Sequence, residues 1–141
     1  MSIAIRPAVE NEADTIKAMI HVEGLDPTTL NWRHFLVAEL DGQIVGVGQI
    51  KEYGGIHELG SLVVQHDHRG KGIARQLIAA LEAKAKRPLY LSCRDTMQPY
   101  YEKFGYQVIS SRETPLALRL KLTIPNVLFR IPVVAMIKRG R

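Results

Sequence analysis

Apolar and polar positions alternate through Ile3 and Ile5 and stop at Pro7, which predicts a first strand. Ile16, Met19 and Ile20 then recur at helical spacing up to Gly24, so a helix follows, capped by Asn11 or Asp14. Residues Leu25 to Arg33 read as a loop or broken helix with a turn at Asp26-Pro27, and Trp32 is either core or cleft wall, or a substrate contact. Strands His34 to Leu40 and Gln43 to Lys51 flank Asp41-Gly42, a dipeptide that tolerates the positive φ of a type I′ hairpin turn. Tyr53-Gly54-Gly55 turns the chain into a strand from Ile56 to Val64. A helix over Lys71 to Lys86 places Ile73, Leu77, Ile78, Leu81 and Ala85 on one face and stops before Pro88. Leu89, Leu91 and Cys93 mark a short strand, Thr96 caps a helix reaching Phe104-Gly105, and Tyr106 to Ser110 returns as a strand. The last strand is Val133 to Lys138, and strands interleaved with helices in this way predict a layered α/β sheet.

One stretch resists assignment. Leu116, Leu118, Leu120, Leu122 and Ile124 alternate like a strand, yet Leu, Ala, Arg and Lys favour helix, and Leu120, Ile124, Val127, Leu128 and Ile131 also fit a helical face broken at Pro125. In either form residues 112–132 are atypically apolar and basic, with a face suited to a homodimer interface, to covering an acceptor cleft or to resting on a membrane.

Length and charge narrow the class. A chain of 141 residues predicts a single domain over 1–141, and 46% hydrophobic with 23% charged residues is the balance of a soluble globular protein. No apolar run reaches the ~18 residues of a membrane span. Met1 to Arg6 leads straight into a strand rather than a signal peptide, so the expected location is cytoplasmic. A lone cysteine forms no internal disulfide, and His66 and His68 lack the further ligands of a metal site. The net charge of +5 is not read as nucleic-acid binding, because no aromatic residues interleave the basic tail that ends Lys138-Arg139-Gly140-Arg141. A polyanionic ligand accounts for part of the excess.

That ligand has a candidate seat where Leu62-Val63-Val64 runs through Gln65-His66-Asp67-His68 into Arg69-Gly70-Lys71-Gly72-Ile73-Ala74. Glycines let the backbone turn tightly, and the free N–H groups of a helix start attract anionic oxygens. A dinucleotide fingerprint needs a third glycine at Arg75, and a P-loop needs four residues between its glycines followed by Gly-Lys-Ser/Thr. Neither is present. The spacing instead resembles the acyl-coenzyme A signature Q/R-x-x-G-x-G/A of the GNAT superfamily of N-acetyltransferases. Downstream, Tyr100-Tyr101-Glu102-Lys103-Phe104-Gly105-Tyr106 resembles that family's YEK-x-GF segment at the matching distance, and the likeness covers roughly 3–109.

The resemblance implies a single mixed, largely antiparallel central sheet flanked by helices, in the order β-α-α-β-β-β-α-β-α-β-β. It implies acetyl-CoA as co-substrate, held by the main chain of Leu62, Val63 and Val64 and by the loop of Arg69, Gly70, Lys71, Gly72, Ile73, Ala74 and Arg75. An amine acceptor then attacks the thioester directly in a ternary complex. Tyr101 matches the tyrosine that protonates the departing sulfur, a role suited to a phenol whose ordinary pKa of about 10 lies above the ~8.5 of a thiol. Its alternative is helix packing beside Tyr100.

Glu58 is the candidate base, taken by strict alternation to share a face with Gly60, Leu62 and Val64; its alternatives are a strand-entry salt bridge, a water or a backbone relay. His57 falls on the opposite face. Glu10, Glu12, Asp14, Glu23 and Asp26 make the N-terminal half acidic enough to receive a cationic amine. Arg94-Asp95-Thr96-Met97 departs from the family's Asn-x-x-Ala, which puts one pantetheine contact in doubt, and Cys93 reads as a buried thiol rather than a nucleophile. A protein that binds coenzyme A as a sensor or interaction module without turnover is the competing reading.

Overall fold

A computed structural model describes residues 2–140. Met1 and Arg141, on which the readings of the N-terminal lead and the basic tail partly rest, lie outside the described residues, as does the side chain of Leu128. The strands are β1 (Ala4–Pro7), β2 (Phe35–Leu40), β3 (Gln43–Tyr53), β4 (Ile56–Val64), β5 (Leu89–Arg94), β6 (Gln107–Ile109) and β7 (Val133–Lys138). The helices are α1 (Ala13–Val22), α2 (Ile73–Lys84), α3 (Gln98–Glu102) and α4 (Leu116–Thr123). The sheet is open and mixed, with the strand order β1-β2-β3-β4-β5-β7-β6. The pairs β1/β2, β2/β3, β5/β7 and β6/β7 are antiparallel, so the expected α/β class holds. Among the described residues no helix is long and apolar enough to cross a membrane.

Chain contacts group into two compact units, residues 1–51 with 59–85, and residues 52–58 with 86–141. In the first unit, Pro7 closes β1 at the sheet edge, where a missing N–H disrupts no ladder. Strand β2 is apolar at nearly every position because both its faces are covered, and Phe35 and Val37 meet Ile16 and Ile20 of α1. Asp41 and Gly42 adopt φ of 51° and 80°, as the predicted hairpin requires. The buried face of α2 is Ile73, Leu77, Ile78 and Leu81, continued by Ala85 just past its end, also as predicted. Trp32 packs against the first unit's core under the Arg33 guanidinium, 4.6 Å from its ring centre.

Three local expectations are corrected. Neither Asn11 nor Asp14 caps α1: a 3₁₀ turn at Glu10–Glu12 precedes it, and Glu12 turns back to accept the Val9 N–H at 2.9 Å and the Arg6 guanidinium at 2.7 Å. This pairing holds the Glu12 carboxyl below its ordinary range. Thr96 is no helix cap, because it lies inside a 3₁₀ turn, Asp95–Met97, and α3 starts at Gln98 with Pro99 in its first turn. Strict alternation along β4 fails at Ser61, whose φ of 52° is a bulge-like kink. Gly60 looks onto the Lys51 side chain and Ser61 Oγ accepts from Gln49, whereas Leu62 lies against Gly48. Two neighbouring residues thus share a face, and Gly60 and Leu62 do not.

In the second unit β7 lies between β5 and β6, and the atypical segment is helical. Burial decides its conformation: Leu118 of α4 is fully enclosed with Ile109, Ala135 and Ile137, while Leu122 packs beside them. Pro125, which cannot donate to the ladder, falls in the wider π turn Ile124–Leu128 that follows.

Candidate active site

In the first unit the chain leaves β4 through a tight turn, with Gln65 O accepting from His68 N–H at 2.9 Å and His66 O from Arg69 N–H at 3.3 Å. Arg69 is fixed from both sides: Nε donates to Val64 O at 3.1 Å, and its guanidinium pairs with Glu23. Gly70 and Gly72 take φ of 80° and 78°, and a Cβ on either would meet open space. Conformation rather than crowding therefore demands glycine at both. Gly72 occupies the cap of α2 and offers no side-chain acceptor, so the first-turn N–H groups of Ile73, Ala74 and Arg75 carry no side-chain cap. The positive end of a twelve-residue helix is added to them. Lys71 is exposed, with Nζ 3.4 Å from His68 Nδ1, and buried Ile73 anchors the loop. Val63 is buried in the core, and Leu62 and Val64 are half-buried. Main chain with Arg69, Lys71 and Arg75 around it is chemically suited to hold an anion.

In the second unit Glu58 is 2% exposed and its carboxylate is surrounded by donors. Tyr53 OH donates to Oε1 at 2.8 Å, Ser92 Oγ to Oε2 at 3.2 Å, and Lys121 Nζ to Oε1 at 2.8 Å. Lys121 Nζ also stands 5.4 Å from the centre of the Tyr53 ring. Carboxylate and aromatic face together form a clamp for an ammonium group. His57 takes no part: Nδ1 accepts the Lys86 N–H at 3.1 Å, leaving Nε2 to meet Glu52 at 2.9 Å.

Tyr101 is placed by the way α3 ends. Gly105 takes φ of 92°, its N–H donates to Glu102 O at 3.0 Å, and Tyr106 N–H donates to Tyr101 O at 3.3 Å. These two bonds are a Schellman termination, and the apolar contact that accompanies it is the edge-to-face packing of Tyr101 on buried Tyr106, 6.3 Å between ring centres. Lys138 Nζ completes the turn by donating to Phe104 O at 2.8 Å. Burial pushes the Tyr101 phenol well above its ordinary value, with smaller contributions from Cys93 and Tyr100. It therefore keeps its proton at neutral pH. Tyr100 packs edge-to-face on both Tyr101, 5.2 Å between ring centres, and Phe104, beneath Lys103, so Tyr101 also has the helix packing beside Tyr100 that is its alternative reading. Cys93 is pushed up to about 11, first by burial and then by the Asp95 charge, so it is a protonated thiol and not a nucleophile.

The structure thus gathers Glu58 with Tyr53, Ser92 and Lys121, and Tyr101 with Cys93 and Tyr106. Tyr53, Ser92 and Lys121 carry no signal in the sequence: Lys121 lies 63 residues from Glu58, in the segment whose conformation was open. Three of the five acidic residues expected to attract a cation are already ion-paired, Glu12 with Arg6, Glu23 with Arg69 and Asp26 with buried Lys51.

Comparison with known proteins adds the following. Residues 31–108 match the family model described as an acetyltransferase (GNAT) domain. No curated protein sequence matches significantly. Among solved structures, the N-acetylglutamate synthase of Neisseria gonorrhoeae, complexed with coenzyme A and N-acetyl-glutamate, superposes with a TM-score of 0.85 at 20% identity over 100% of this chain. The chain spans only 36% of that synthase. Rv2747 of Mycobacterium tuberculosis, in a complex containing CoA, gives a TM-score of 0.75 at 18% identity, over 98% of this chain and 99% of that one. An acyl-CoA N-acyltransferase of Pseudomonas aeruginosa gives 0.66 at 19%, over 97% and 98%. At such identities the likeness is one of fold.

Proposed function

Since the chain belongs to the GNAT acetyltransferase family, we propose that it is an N-acetyltransferase that moves the acetyl group of acetyl-CoA to a primary amine of a small molecule, amino acid or peptide. The observation that carries this reading is the loop of Gly70 and Gly72 before an α2 start without a side-chain cap, a backbone seat suited to the pyrophosphate of coenzyme A. The neighbours solved with coenzyme A support the same co-substrate.

The reaction follows from what each group can do. An acceptor amine with an ordinary pKa near ~10 is protonated at neutral pH and must lose a proton before it attacks. Glu58 takes that proton, directly or through water. The main chain of Leu62, Val63 and Val64 binds the pantetheine and polarises the acetyl carbonyl, on whose oxygen charge develops. Tyr101, kept protonated by burial, gives its proton to the coenzyme A sulfur as the C–S bond breaks.

Residues 1–141 act in this reading as one domain, in the cytoplasm where acyl-CoA is supplied. Exposed Leu116, Leu120, Ile124 and Val127, at helical spacing, support a homodimer through 112–132. A second reading, a coenzyme A-binding module without turnover, has one observation in its favour: the Glu58 carboxylate already holds an ammonium. Free-thiol release from acetyl-CoA across amino acids, polyamines, aminoglycosides and peptides separates the two. Turnover that weakens in Tyr101→Phe supports the enzyme, and tight acetyl-CoA binding with no thiol release across the panel supports the module.

A further inference from the structure

The amine clamp around Glu58 is filled by the chain itself. Lys121 Nζ, a primary amine, sits 2.8 Å from Oε1 and against the Tyr53 ring, while Tyr53 OH and Ser92 Oγ hold the carboxylate from other sides. Lys121 approaches from the open side: its side chain is 26% exposed and that of Glu58 is 2% exposed. The position of α4 is set independently of this pair. Leu118 is fully buried, and Gly54 lies so close to Ala117 that a Cβ there would overlap it. A carboxylate that deprotonates an acceptor amine directly needs that amine within hydrogen-bond reach, which is where Lys121 Nζ now stands.

We propose that Lys121 is a self-acetylation site, an internal acceptor that takes the acetyl group of acetyl-CoA when no outside amine fills the clamp. The inference rests on the N-acetyltransferase reading and on Glu58 as its base. One ammonium proton of Lys121 passes to Glu58 and on to solvent. The freed lone pair attacks the thioester carbonyl carbon, the N–C bond forms as C–S breaks, and the sulfur takes the Tyr101 proton. The second amine proton restores the phenol through solvent, leaving an acetyl amide on Lys121 and free coenzyme A. The amide carries no charge, so the ion pair with Glu58 is lost.

The test incubates the full chain with acetyl-CoA and follows intact mass and peptide maps, alongside thiol release with a panel of free amines. Expected is one acetyl group at Lys121, gained at a rate per molecule that does not change with protein concentration. It should slow about 100-fold in Glu58→Gln and be absent at that position in Lys121→Arg, whose fold is checked by circular dichroism. Acetylation of free amines with Lys121 unmodified overturns the inference and leaves the enzyme reading standing. Label spread evenly over exposed Lys17, Lys71, Lys84 and Lys103 overturns it too. If acetyl-CoA binds but neither Lys121 nor any free amine is acetylated, both readings fall.

Discussion

The loop from Gln65 to Gly72 and the clamp around Glu58 both handle charge, and they do so with different parts of the chain. The loop leads into the α2 start, where the N–H groups of Ile73, Ala74 and Arg75 carry no side-chain cap, and its side chains serve mainly to hold it: Arg69 ties back to Val64 O and Glu23. The clamp is made of side chains brought from β3, β4, β5 and α4. A backbone site tolerates most side-chain changes that preserve conformation. A side-chain site fails when any one donor moves, because a buried carboxylate left without partners is strongly destabilising.

Mutations that touch one region and spare the other test this contrast. The largest effect is expected for Tyr101→Phe, which removes the proposed acid: kcat should fall about 10²–10⁴-fold while acetyl-CoA affinity by calorimetry stays unchanged. An equal loss of both would tie Tyr101 to the loop. Next comes Leu118→Ala, which opens a cavity under α4 and should cost about 2–5 kcal/mol in denaturant unfolding. It should loosen the Lys121–Glu58 pair and leave acetyl-CoA binding near the unaltered value. Gly72→Val is the converse, since a branched residue at φ 78° costs about 1–2 kcal/mol; acetyl-CoA KM should rise with little change in kcat, measured at saturating cofactor.

The smallest effect is alkaline. Cys93 carries its proton to about 11 in the fold against an ordinary value of 9.0. The folded state therefore holds more protons than the unfolded one between these limits, and stability falls as pH rises through them. Cys93→Ala should flatten that part of the decline in Tm and leave the profile below pH 9 unchanged. A flattening below pH 9 would mean that another group titrates there.

What could be read from sequence follows the same division. The proposed anion seat lies within about a dozen consecutive residues, so glycine spacing, the preceding strand and the following helix made its turn and helix start legible before any tertiary contact was known. The Asp41-Gly42 hairpin and the buried face of α2 were legible for the same local reason. The end of the helix at Phe104-Gly105, which places Tyr101, was legible because a Schellman turn is also local, with Gly105 and Tyr106 fixing the ring. Alternation failed in β4, where a positive φ at Ser61 depends on partners across the sheet such as Gln49. It failed to decide 112–132 because apolar spacing there satisfies both periods, and only burial of Leu118 between Ile109 and Ile137 selects the helix. Lys121 stayed invisible with it.

The place of β7 has a consequence in time. It pairs with β5 on one side and β6 on the other, though both precede it in the chain. As the chain is synthesised, β5 and β6 therefore wait with open edges, the condition that invites pairing with other chains. The turn that orients Tyr101 also waits, since Lys138 at the end of β7 supplies the ammonium on Phe104 O. The fold of the second unit should thus be completed late and all at once, when a ribosome has released residues 133–138, and a chaperone that shields the β5 and β6 edges would act in that interval.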